Sequence, residues 1–175
     1  MSFDAVAHAT GAEFRPVSVR IAVAVLAGFG AAAIANMLMS VLPEGEVPPR
    51  VTLIALWPGV PRNAVPAATH TVQYLGGIAA AVGIELVLVA IDGVRTTHVL
   101  FLGWVAVSRL AVAFLAAAAI WVLFVTLALP QVGPDLLSEY DRREGGIRRD
   151  WSVSALVYAA AVSALVPALY VLLPV

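Results

Sequence analysis

From Ile21 to Leu42 the chain runs for 22 residues without a charge, opened by Arg20 and closed by Pro43. An α-helix advances ~1.5 Å per residue, so about 20 apolar residues carry it across the ~30 Å hydrocarbon core of a bilayer. A run of this length and polarity has few other destinations, and it recurs. Segments 67–91, 98–129 and 152–173 are as long or longer, and the only charges inside them are Glu85 and Arg109. Composition agrees, with 62% hydrophobic and 12% charged residues and a mean hydropathy of +0.97. Soluble domains hold roughly 45–50% apolar and about 25% charged residues. The sequence predicts an all-α integral membrane four-helix bundle, multi-pass in the cell membrane, with residues 1–175 as one transmembrane domain.

The segment ends are set by residues that stop or redirect helices. Residues 1–20 resemble the basic start of a secretory signal and Ala33-Ile34-Ala35 a cleavage site. Asp4, Glu13 and the apolar residues continuing to Leu42 favour a retained helix over 21–42. Six of the eleven prolines, at 43, 48, 49, 58, 61 and 66, fall in the next segment and predict a proline-rich interfacial loop without regular helix. Its apolar island Val51 to Trp57 is too short to span, and tryptophan prefers the headgroup level, so the island is expected at the interface. The second helix, 67–91, ends at Asp92-Gly93. The third region, 98–129, is longer than one crossing needs, which places the span at 110–129 and leaves His98 to Ser108 as a continuation of the same helix near the interface. The fourth helix is 152–173, kinked near Pro167, and 131–150 reads as a polar loop. The loops 43–66 and 131–150 share six arginines, whereas the N-terminal tail and the 92–97 turn share three, so both termini are expected outside the cell.

Several chemistries are excluded or left without residues. Cysteine is absent, which removes disulfides, thiolate nucleophiles and iron–sulfur ligation. A net charge of −1 with no basic stripe predicts no nucleic-acid partner. HExxH, GxSxG, GxxxxGK[ST] and EF-hand patterns do not occur, so no catalytic residue, metal ligand or cofactor is assigned and enzymatic activity is not expected. The histidines are His8, His70 and His98. His70 and His98 begin segments at opposite faces, on the order of 30 Å apart, too far to share a haem iron.

The helix faces carry the remaining information. On the first helix Ala24, Gly28, Ala32, Asn36 and Ser40 recur every four residues as a small or polar stripe, a helix-packing face on which Asn36 would find a cross-helix hydrogen bond. Ala155, Ala159, Ser163 and Pro167 repeat the device on the fourth. On the second, His70, Gln73, Tyr74, Gly77, Ala81, Glu85 and Asp92 share a sector about 120° wide, a candidate polar stripe. Glu85 lies deep enough that its carboxylate must be paired, protonated or wet. In an antiparallel hairpin closed by the 92–97 turn, Glu85 and Arg109 lean toward one another, which makes them a candidate intramembrane polar pair.

The order of a small-residue first helix, a proline-rich loop and then His70 followed by Gly76-Gly77 resembles small polytopic microbial membrane proteins of an uncharacterised family with no assigned activity. The resemblance covers the first half of the chain and implies no site residues. The function expected is an accessory or interaction subunit of a membrane complex, with membrane lipids and either a second copy or another membrane protein as partners. The alternative is an oligomeric proton, ion or small-solute conduit using the second-helix stripe with Glu85 and Arg109.

Overall fold

The structure is a computed structural model that describes residues 15–92, 100–101 and 105–173. It is all-helical but for one two-residue strand pair, and four of its helices are long and apolar enough to cross a membrane. Helix α1 (Val17–Met39) starts upstream of the uncharged run and takes Arg20 into its first turn. Pro16 precedes it, and the Pro16 carbonyl accepts the amides of Val19 and Arg20. A proline at this edge loses nothing, since its missing N–H would have no partner inside the helix.

The proline-rich segment departs from expectation. It contains a helix, α2 (Val47–Leu56), with Pro48 and Pro49 in its first turn. First-turn amides need no intrahelical acceptor, and the fixed φ of proline suits a helix start, so these prolines open a helix instead of forbidding one. Val51 and Leu53 are buried, whereas Leu56 and Trp57 at its end are 72% and 52% exposed. The island is therefore partly core and only its tip is free.

Helix α3 (Val65–Asp92) follows, then an antiparallel pair, β1 (Leu100–Phe101) with β2 (Val105–Ala106), in the register Leu100 to Ala106 and Phe101 to Val105. Within the expected helical continuation from His98 to Ser108, Leu100–Phe101 and Val105–Ala106 are extended instead, and helix α4 (Val107–Leu123) begins only at Val107. At its far end, α4 passes through a π-helical turn, Phe124–Ala128, into α5 (Leu129–Leu136). Pro130 does not terminate the run, because the wider turn resets the ladder and leaves Pro130 in a first-turn position.

Helix α6 (Tyr140–Leu172) is the largest correction, since eleven residues of the expected 131–150 loop form its first turns. Glu139, at φ 57°, makes the reversal out of α5. The polar turns are tied by Glu139–Arg142 and Glu144–Arg148 ion pairs, and Ile147 and Asp150 face inward. Pro167 sits inside the continuous helix.

The four long helices close a ring in the order α1, α3, α4, α6. Its core is built from Val23, Ala27, Ala31, Ala81, Ile84, Ala113, Ala117, Ala159 and Val162 with their neighbours. Alanine at so many facing positions brings backbones close. A Cβ on Gly28 would stand 2.7 Å from the Cβ of Ala81, and one on Gly77 would stand 2.7 Å from the Cβ of Ala32. A second core lies at the other end, where Val51 of α2 meets Phe124, Val125, Leu129, Leu137 and Ile147, and the Phe124 and Trp151 rings stand 5.4 Å apart.

Two glycine substitutions test this packing. Gly28→Leu forces α1 away from α3 and is expected to cost at least about 1–3 kcal/mol. Gly145→Ala, where a new Cβ meets nothing within 4 Å, is expected to be neutral or to stabilise by up to about 1 kcal/mol. Thermal unfolding in mild detergent reads both, and equal behaviour of the two variants would refute the close α1–α3 approach.

Candidate functional site

At the end of the bundle where α1 and α4 begin and α3 finishes, three charges meet. Glu85 is fully buried, and its two oxygens are taken by different helices. Arg20 Nε donates to Oε1 at 2.7 Å, and Arg109 Nη1 donates to Oε2 at 2.7 Å. Both arginines are themselves buried, at 3% and 8% exposure. Arg20 and Arg109 each stand in the first turn of a helix, and their side chains alone supply the donors to the carboxylate. The fourth helix contributes Tyr170, whose hydroxyl is buried without a hydrogen-bond partner among the described residues and lies within Coulombic range of Glu85, Arg109 and Arg20.

A buried carboxylate is tolerated only when its desolvation is offset by near-ideal charged hydrogen bonds. Here both oxygens have one, so the group acts first as a clamp joining α1, α3 and α4. No three His, Asp or Glu side chains converge as a metal-binding set among the described residues.

The sequence-predicted pair Glu85 and Arg109 is thus brought together, but with a third member that sequence reasoning missed. In the sequence Arg20 only opens the uncharged run Ile21 to Leu42. Its signal was present, because Arg20 stands four residues before Ala24 and so extends the stripe Ala24, Gly28, Ala32, Asn36 and Ser40 by one step.

The other residues of the second-helix stripe do not form one continuous polar surface. Tyr74 stacks on Phe29 with ring centroids 5.1 Å apart. Gly77 and Ala81 are closed over by Gly28 and Ala32, and the Tyr158 hydroxyl donates to the Gly77 carbonyl. His70 and Gln73 lie beyond this seal, on an open cleft of about 1180 Å³ at the opposite end of the bundle. The side chain of Asp92, the 93–97 turn, His8 and His98 lie outside the described residues.

The packing stripe on α1 also divides. Gly28 and Ala32 are buried against α3, whereas Asn36 and Ser40 line the cleft. Asn36 makes no side-chain hydrogen bond to another helix among the described residues, contrary to expectation, because the stripe has left the helix contact by that turn. Ser40 Oγ turns back to the Met37 carbonyl at 2.7 Å. On α6, Ala159, Ser163 and Pro167 are buried, and Ser163 Oγ donates to the Ala159 carbonyl of its own helix.

A latch fixes the cleft end. Arg143 grips Glu44 through Nε and Nη2 at 2.9 and 2.6 Å, while the Glu44 amide donates to Asp150 Oδ2 at 2.9 Å. The turn after α1 is thereby fastened to the polar start of α6.

The clamp makes a specific energetic demand. Glu85→Gln leaves two buried guanidinium groups facing a neutral amide, and the expected loss is about 3–5 kcal/mol. Replacing Arg109 by Met in the same chain removes one stranded charge, so the double variant is expected to lose less than the two single losses added together. Reversible unfolding in detergent for the two singles and the double gives the coupling, and strict additivity would rule the clamp out. No protein family, curated protein or solved structure matches this chain.

Proposed function

We propose that the chain is a multi-pass integral membrane protein that acts as an accessory or interaction subunit, docking through the outward face of α3 on a second copy or another membrane protein. The observation that carries this is the placement of Gly76 and Gly83. A Cβ at either would meet nothing within 4 Å, and Leu75, Ala79, Leu86 and Val87 are exposed beside them. Glycine inside an exposed helix costs about 1 kcal/mol relative to alanine. Lipid gains nothing from the missing side chain, whereas a partner helix gains close backbone approach and dispersion contact. Inside the bundle, Gly28 and Gly77 are used in that way. The α3 surface repeats the device on a side that the described residues do not cover.

The conduit alternative is less well supported. Its stripe is interrupted where Gly28 and Ala32 close over Gly77 and Ala81, and Glu85 has both oxygens committed to arginines. The arginine count still favours the α1–α3 connection and the start of α6 in the cytoplasm, with both termini outside.

The test is Gly76→Leu combined with Gly83→Leu, both directed into open space. Purified in mild detergent, the wild-type protein is expected as a larger assembly and the double variant as the single chain, with similar unfolding midpoints. An assembly mass unchanged by the double substitution, or a wild-type protein that purifies as one chain alone, would overturn the proposal. Ion or proton flux through liposomes carrying the wild-type chain would transfer support to the conduit.

A further inference from the structure

The cleft at the end opposite Glu85 has no part in the clamp or the α3 face. Arg50 on α2, Arg62 in the turn between α2 and α3, and His70 on α3 all line it, together with the amides of Asn36 and Gln73. Three consecutive segments therefore turn groups able to carry positive charge toward one space. Its electrostatics are one-sided. Arg143 also reaches the cleft but is held by Glu44, and among the described residues Glu46 is the only carboxylate on the lining. Arg50 and Arg62 make no ion pair among the described residues, and both side chains are exposed.

From this we infer that the cleft is a phosphate-ester site and that its occupant is the headgroup of an anionic phospholipid. Guanidinium groups match phosphate oxygens with paired N–H donors, and amide side chains supply neutral donors around them. Gln73 currently donates to the Met39 thioether sulfur at 3.1 Å, a weak acceptor that a phosphate oxygen outcompetes.

The surroundings select the lipid source over a soluble one. The cleft opens where α1 ends at Met39 and α3 begins at Val65, so its mouth lies at the edge of the apolar helices. Ile54 and Val60 give it apolar walls, and Trp57, exposed just past α2, is the residue type that settles at headgroup level. Pockets for small ligands run to roughly 300–1,000 Å³. A cleft of about 1180 Å³ is roomier, and it has space for a headgroup with the upper part of its acyl chains.

The experiment is native mass spectrometry of the full chain in mild detergent, titrated with phosphatidylglycerol and separately with phosphatidylcholine. Phosphatidylglycerol is expected to bind more tightly. Arg50→Gln with Arg62→Gln is expected to weaken it at least about tenfold. Arg142→Gln, at an exposed α6 position that pairs with Glu139 and does not line the cleft, is expected to leave it unchanged. An unfolding scan of each variant separates lost binding from lost structure. Glycerol 3-phosphate added as competitor separates the sources: no displacement supports the lipid, and displacement keeps the phosphate site but assigns it to a soluble ester. Equal affinity of the double variant and the wild type, or equal binding of the two lipids, would overturn the site. Neither result touches the α3 docking proposal, because the two surfaces share no residue.

Discussion

A carboxylate with no access to water has to find its counter-charges within the fold, and the bundle is arranged around that requirement. Glu85 draws Arg20 from one helix and Arg109 from another to the same depth, with 2.7 Å contacts to each oxygen. The helices that carry them cannot slide or rotate independently, because a displacement of one turn, about 5.4 Å, breaks a buried charged hydrogen bond. Hydrophobic contact alone would set the register of such helices poorly, since alanine and valine faces fit at several offsets. The three charges supply a specific register, and the apolar core packs to suit it.

The consequence spreads along the molecule by geometry. Once Arg20 is fixed against Glu85, the next turns of α1 meet α3 through Gly28 and Ala32 against Gly77 and Ala81, close enough that an added methyl has no room. Further along, Asn36 and Gln73 line the cleft together with residues of α2. This end is secured by a different device, the grip of Arg143 on Glu44, which ties the turn after α1 to the start of α6. One end is therefore locked by buried charge, the middle by missing side chains and the far end by a part-buried latch.

Much of this was legible in the sequence, for physical reasons that also explain what was not. The four apolar runs announce four long helices because hydrocarbon thickness imposes a length. The depth of Glu85 and the hairpin geometry identify Arg109. The helix ends were harder, because Pro48, Pro49 and Pro130 read as breakers when each is taken alone, and the charged stretch 131–150 reads as a polar loop. Pro48 and Pro49 fall in a first turn, Pro130 follows a π-helical turn, and Gly145 and Gly146 lie in a helix held by Ile147 and Trp151 against the second core. Tyr140, Ile147 and Trp151, at helical spacing, were the available sign that α6 begins before its apolar part. Arg20 is concealed by its position, because a charge beside an apolar run reads as the boundary of that run. Here the charge stands in the first turn of α1 and is buried in the bundle.

The sequence separation of the clamp's members sets the order in which the bundle can be assembled. Arg20 and Glu85 are 65 residues apart, whereas Glu85 and Arg109 are separated by 24. During synthesis α1 is therefore complete well before the carboxylate that its arginine requires has been made. As α3 emerges, Glu85 can meet Arg20 and join the first two long helices into a charge-matched pair. The short connection to α4 then brings Arg109 to the remaining oxygen. The earliest portion of the chain that can form the Arg20–Glu85 bond is therefore the one reaching through residue 85.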